Sequence, residues 1–209
     1  MMVRRIATLV LATCPALFAE YKLEPAGAPP SEVAPAIAAL LQTTGHRLLG
    51  PDGKPYCEVW FRKEAPKGPQ TSEVDVMWKT VPPGSLVGAI KYHGQGHDRR
   101  GHNIKPGVYT LRFSMFPING DHQGVAPNRD FLVMAPAESD TSVEPVSNFD
   151  ALVNMSRKVS GAQHPAVLSM WLVESDFKPG VHQLGEDWAI QVKVGDAQVG
   201  LILIGKVEA

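Results

Sequence analysis

Residues 107–116 read "GVYTLRFSMF". Side chains alternate across an extended chain, so Tyr109, Leu111, Phe113 and Met115 share one face while Thr110, Arg112 and Ser114 share the other. This alternation predicts a β-strand with one dry side, laid over a core as in an antiparallel sheet. Pro106 and Gly107 supply a tight turn into it. The same period recurs outward from this stretch. Upstream, "YCEVWFR" sets Cys57, Val59 and Phe61 against Glu58 and Arg62, while "SEVDVMW" and "SLVGAIKY" read as neighbouring strands joined by "KTVPPG". Downstream, "DFLVMA", "AVLSMWLV" and "GLILIG" are short and continuously apolar, which fits strands covered on both faces. "WAIQVKV", "GD" and "AQVGLILIG" predict a closing hairpin, because a Gly-Asp pair can supply positive φ in a two-residue turn. About eight strands are expected on this pattern.

Two segments carry a helical period instead. In "EVAPAIAALLQTTG", Pro35 suits a first turn, Ile37, Leu40 and Leu41 share a face, and Gly45 can close the end, so a short helix is expected near 33–43. In "SNFDALVNMSRKVSG", Ser147 and Asp150 have capping-box spacing, Phe149, Leu152 and Val153 form an apolar stripe, and Gly161 stops a helix near 148–160. Many short strands with two short peripheral helices predict a mainly β fold: an antiparallel β-sandwich, jelly-roll-like, as a single domain over 32–209. Ahead of it, residues 20–31, "EYKLEPAGAPPS", read as an extended Pro/Ala-rich arm.

The first nineteen residues carry Arg4 and Arg5, an apolar run from Ile6 to about Ala12, then Ala16 and Ala19, the layout of a signal peptide. Export to the periplasm or the extracellular space is expected, with a mature chain starting near Glu20. Thr13 and Pro15 flank Cys14 poorly for lipid attachment, so ordinary cleavage is the reading taken. No apolar stretch approaches the roughly 20 residues of a spanning helix, so no membrane span is expected in the mature chain. Cleavage removes two arginines and no acid, lowering Lys+Arg from 20 to 18 against 21 Asp+Glu. A mildly acidic chain without a basic stripe argues against nucleic acid as a partner. Cleavage also takes Cys14, one of two cysteines, so Cys57 has no intramolecular partner and burial alone must hold the domain together. Cys57 stands on the apolar face beside Val59 and Phe61, where cysteine behaves as a small hydrophobe.

The stretch with most chemical potential is "YHGQGHDRRGHNIKPG", residues 92–107, with His93, His97 and His102 among three glycines, and His122 following in "NGDHQGV". Imidazole is the commonest zinc and copper ligand, yet the glycines oppose a helix, and a metal site would need the loop to fold back on itself. The plainer reading is a solvated loop, since no recognised ligand spacing is matched. Arg99 and Arg100 make the same loop locally basic, which suits a carboxylate or phosphate, and Asp121 beside His122 could join a site if both loops shared one end of the fold. There is no G-x-S-x-G elbow, no H-E-x-x-H and no phosphate-binding glycine loop. Glu58, Asp75, Glu174 and Asp187 stay open as acid/base candidates, because carboxylate pairs are positioned by the fold and not by spacing. Trp60, Trp78, Trp171 and Trp188 all fall in predicted strands, as core fillers or as a stacking platform.

"NIKPGVYTLRF", "EDWAIQVKV" and the export signal together resemble an uncharacterised family of secreted bacterial β-sandwich domains, in which a Pro-Gly-x-Tyr turn launches a strand. The resemblance implies the fold and carries no activity. The expected function is a binding or accessory module working through end loops 93–106 and 117–129 on a small molecule, glycan or envelope protein. Two alternatives stand beside it: a zinc- or copper-dependent enzyme or metal-binding protein using the loop histidines, and a structural envelope protein.

Overall fold

The computed structural model describes residues 20–118, 128–171, 173 and 176–205. The expected leader 1–19 with Cys14, and the candidates Asp121, His122 and Glu174, lie outside the described residues. The first half contains β1 (Lys22–Pro25), α1 (Pro35–Ala38), β2 (His46–Leu49), β3 (Pro55–Phe61), β4 (Leu86–Tyr92), β5 (Gly96–His97) and β6 (Asn103–Ile104). The second contains β7 (Gly107–Met115), β8 (Asp130–Pro136), α2 (Phe149–Ser160), β9 (Val167–Trp171), β10 (Gly180–Leu184), β11 (Asp187–Val194) and β12 (Ala197–Ile204).

The mainly β, antiparallel, single-domain architecture expected from the alternation is present. Its two layers are opposite walls of one sheet. Ten strands run in the order β1-β2-β3-β4-β7-β8-β9-β12-β11-β10, and β5 and β6 form a separate hairpin between β4 and β7. The sheet curls until its first and last strands meet, with the Tyr21 and Trp188 rings 5.0 Å apart across the seam. A right-handed twist accumulated over ten strands brings the edges round in this way, so the fold is a barrel short of full closure. One core fills it, joining Cys57, Val59 and Phe61 of β3 to Leu111 and Phe113 of β7 and to Val192, Leu201 and Leu203 of β11 and β12.

Strand β7 departs from expectation on its polar side. Thr110, Arg112 and Ser114 are buried like their apolar neighbours. Segment 137–147 lies over them and is tied down by Arg112, which meets both oxygens of Asp140 at 2.6 and 2.7 Å and donates to the carbonyls of Gly84, Ser142 and Glu144. The hydrogen-bonding demand of five N–H donors in one guanidinium is what lets a single residue hold that segment.

"SEVDVMW" is not a strand. Both edges of β4 are taken, by β3 and β7, which leaves no ladder for it to join. It instead plugs one end of the barrel: Val76, Trp78 and Val81 turn into the core, and the Asp130 carboxylate accepts the N–H groups of Met77 at 2.8 Å and Trp78 at 2.9 Å. Burial outweighs those bonds and raises the Asp130 pKa above its ordinary value. The arm is extended as expected but belongs to the sheet, since Lys22–Pro25 pairs along β2. Helix α1 is a single turn whose Ile37 packs with Val33 and Leu41 on Trp60, while the Trp60 indole donates to the Gly27 carbonyl at 2.8 Å. Helix α2 forms where its stripe predicts. Its cap is Asn148 in place of Ser147, accepting from the Ala151 N–H, and Gly161 ends it at φ 65°.

Candidate functional site

The chain reverses between Tyr92, the last residue of β4, and Gly107, the first of β7, through the β5–β6 hairpin. Asp98 organises that turn from a buried position. One of its oxygens accepts the N–H groups of Arg100 (3.0 Å) and His102 (2.9 Å), and the other lies 3.0 Å from His102 Nδ1. Gly101, at φ 80°, returns its N–H to the Asp98 carbonyl. A carboxylate that accepts several donors at once gives a glycine-rich loop a fixed shape that its composition alone does not. Arg99 then fastens the loop to the far wall: Nε and Nη2 meet the two oxygens of Asp187, which opens β11, at 3.1 and 2.7 Å. Gly205 lies against this clamp, where a Cβ would collide with the Asp187 carboxylate unless that side chain moved.

Between the fastened loop and the barrel rim lies a cavity of about 380 Å³, lined by Tyr56, His97, Asp98, Gly101, Ile204 and Gly205. Tyr56 is the second residue of β3, and Ile204 ends β12, so the cavity sits where these strands reach the same end of the barrel. Beneath the hairpin, Tyr92 contacts Tyr56 edge-on at 5.7 Å and Tyr109 at 6.4 Å between ring centroids. Gly96 lies directly on the Tyr92 ring, at a distance a Cβ would not allow. Tyr109 donates to the Lys105 carbonyl at 2.8 Å, and the Tyr56 oxygen accepts the His97 N–H at 3.4 Å. The Tyr92 hydroxyl is fully buried and has no hydrogen-bond partner among the described residues. Burial, then the neighbouring Cys57, pushes the Tyr56 pKa up to about 12. Burial also raises Tyr92, with Cys57, Tyr56 and Asp98 adding to it, so both phenols stay protonated at neutral pH. Burial raises the Cys57 thiol as well, in keeping with the inert core residue expected of it.

The loop histidines take three separate directions. His93 lies on the outer wall, its Nε2 3.4 Å from Glu58, which Arg47 also meets at 2.6 Å. His97 is exposed at the cavity rim, and His102 joins Asp98 with its ring stacked 6.4 Å from His164. Among the described residues no group of three or more His, Cys, Asp or Glu side chains is placed to hold a metal ion. Arg99 is committed to Asp187, and Arg100 is half-buried with its backbone bound to Asp98. Of the open carboxylates, Glu58 and Asp187 are the partners of Arg47 and Arg99, while Asp75 lies at the plugged end. That end is also where the second loop is anchored. Phe116 follows β7 and residue 106 precedes it, so β7 holds the two loop anchors, ten residue steps apart, at roughly 33 Å.

Tyr56, Tyr92, Ile204 and Gly205 did not emerge from the sequence as site residues. The signal was positional: Tyr56 and Tyr92 are aromatic residues at strand ends, and Gly205 follows the last apolar run. Among the described residues no helix is long and apolar enough to cross a membrane. Comparison with family models, with curated proteins and with solved structures gave no match.

Proposed function

We propose that the chain is an exported binding module that takes a small, mainly apolar molecule into the mouth of its barrel, with 93–106 as the binding loop. The cavity under the fastened hairpin carries this reading. Barrel mouths are a recurrent place for small-molecule sites, and about 380 Å³ suits a ligand of roughly a dozen to twenty non-hydrogen atoms. The Asp98 and Arg99–Asp187 ties support it, since a binding loop that is already ordered loses little entropy when ligand arrives. A metal-dependent enzyme draws less support, because His93, His97 and His102 engage different partners.

N-phenyl-1-naphthylamine, a neutral fluorescent probe of fitting size, tests the reading. One saturable site is expected in the wild type, lost in His97→Trp, where the indole fills the cavity, and kept in Gln198→Trp at the other end of β12. No saturable binding, or binding indifferent to His97→Trp, would overturn it. Export predicts a secreted product whose intact mass corresponds to a start near Glu20.

A further inference from the structure

The Tyr92 hydroxyl is the one buried side-chain polar atom without a hydrogen-bond partner among the described residues. Natural folds seldom leave such an atom unpaired, because it forfeits its bonds to water and gains nothing in return. A phenylalanine would fill the same space without that cost. The tyrosine is also not isolated from the cavity's walls. Its ring meets Tyr56, which lines the cavity, and Gly96 covers it from the hairpin that supplies His97, Asp98 and Gly101 to the same cavity.

We propose, resting on the binding reading above, that the ligand is a neutral, ring-sized carbonyl compound whose oxygen, after a small displacement of the β5–β6 hairpin, accepts a hydrogen bond from Tyr92. A neutral acceptor is favoured over a carboxylate or phosphate for two reasons. The nearest charge on the cavity wall is the Asp98 carboxylate, and Arg99, the adjacent cation, is already neutralised by Asp187. The raised pKa values of both phenols report the same surroundings, in which added negative charge is disfavoured. Apolar ring atoms would lie against Ile204 and the Tyr56 ring.

Displacement of N-phenyl-1-naphthylamine by three matched compounds tests this: 2-acetylnaphthalene, 2-ethylnaphthalene, which has the same shape without the acceptor, and the anion 2-naphthoate. In the wild type the ketone is expected to bind about three- to tenfold more tightly than the hydrocarbon, the worth of one neutral hydrogen bond, and the naphthoate least tightly. Tyr92→Phe is expected to remove the ketone's advantage while leaving the Tm equal or higher, a combination that a purely structural tyrosine would not give. Equal displacement by ketone and hydrocarbon in the wild type overturns the proposal without recourse to any variant. So does an advantage that survives in Tyr92→Phe, or an ordered internal water that keeps the Tyr92 hydroxyl occupied in the ketone complex. In each of those cases the binding reading stands; failure of the probe itself to bind removes both.

Discussion

Arg112 carries a full charge with no exposed surface, and its surroundings say what that costs to disturb. Its bidentate bond to Asp140, also buried, leaves each charge with no recourse to water if the other is lost. Replacement by Met is expected to cost about 3–5 kcal/mol in urea unfolding, the range for an uncompensated buried partner. Lys54→Met provides the contrast. Its partner Asp52 is exposed, so water takes over from the lost ammonium and the urea midpoint is expected to stay close to that of the wild type. Equal losses in the two variants would show that segment 137–147 is held by something other than Arg112. His46 acts on stability through protons. Burial beside Phe61 lowers its pKa below the ordinary 6.5, so the folded chain keeps the ring neutral where the unfolded chain would protonate it. The resulting stability is fully present above about pH 6.5 and is lost as pH falls toward the lowered folded value. The urea midpoint is therefore expected to drop between pH 7.5 and 5.5 by more in the wild type than in His46→Gln, and identical drops would exonerate this residue.

Elements were legible in the sequence where apolar residues alternated over a full strand length, and illegible where neighbours did the work. β3, β4, β7 and β11 announce themselves because their core-facing residues recur at period two, and β8, β9 and β12 through short apolar runs. β1, β2 and β10 read "KLEP", "HRLL" and "GVHQL", too short and too polar to show a period, and they are strands because an adjacent strand offers them a ladder. Segment 72–78 had the period and lacked the ladder. At the start of α2 the spacing favoured Ser147 as cap, while the side-chain bond is made by Asn148. The distinction is measurable. Asn148→Ala is expected to cost about 1 kcal/mol, the usual worth of an N-cap, and Ser147→Ala close to nothing. The reverse order would return the cap to Ser147.

At the scale of the whole molecule, loop 93–106 stood out in the sequence because its histidines, arginines and glycines fall in one stretch, and it forms one wall of the cavity. The cavity was not legible, since Tyr56, Asp98 and Ile204 line one space only when a ten-stranded sheet closes on itself. That closure gives the arm a structural duty its composition conceals. β1 covers the outer edge of β2 and meets β10, and just beyond it Gly27 accepts the Trp60 indole while Ala26 packs in the cluster of Ile37, Leu41 and Trp60 around α1. Removing residues 20–31 from the mature chain would leave the Trp60 N–H buried without its acceptor, uncover apolar surface around α1, and expose an unpaired strand at β2. The first two losses together are expected to lower stability by about 2–4 kcal/mol. The third adds self-association, because a bare strand edge is a template for another chain. Urea unfolding and light scattering of the shortened chain measure both effects. A monomer with the full-length midpoint would mean that the barrel closes without its first strand, and that residues 20–31 are the loose arm their prolines suggest.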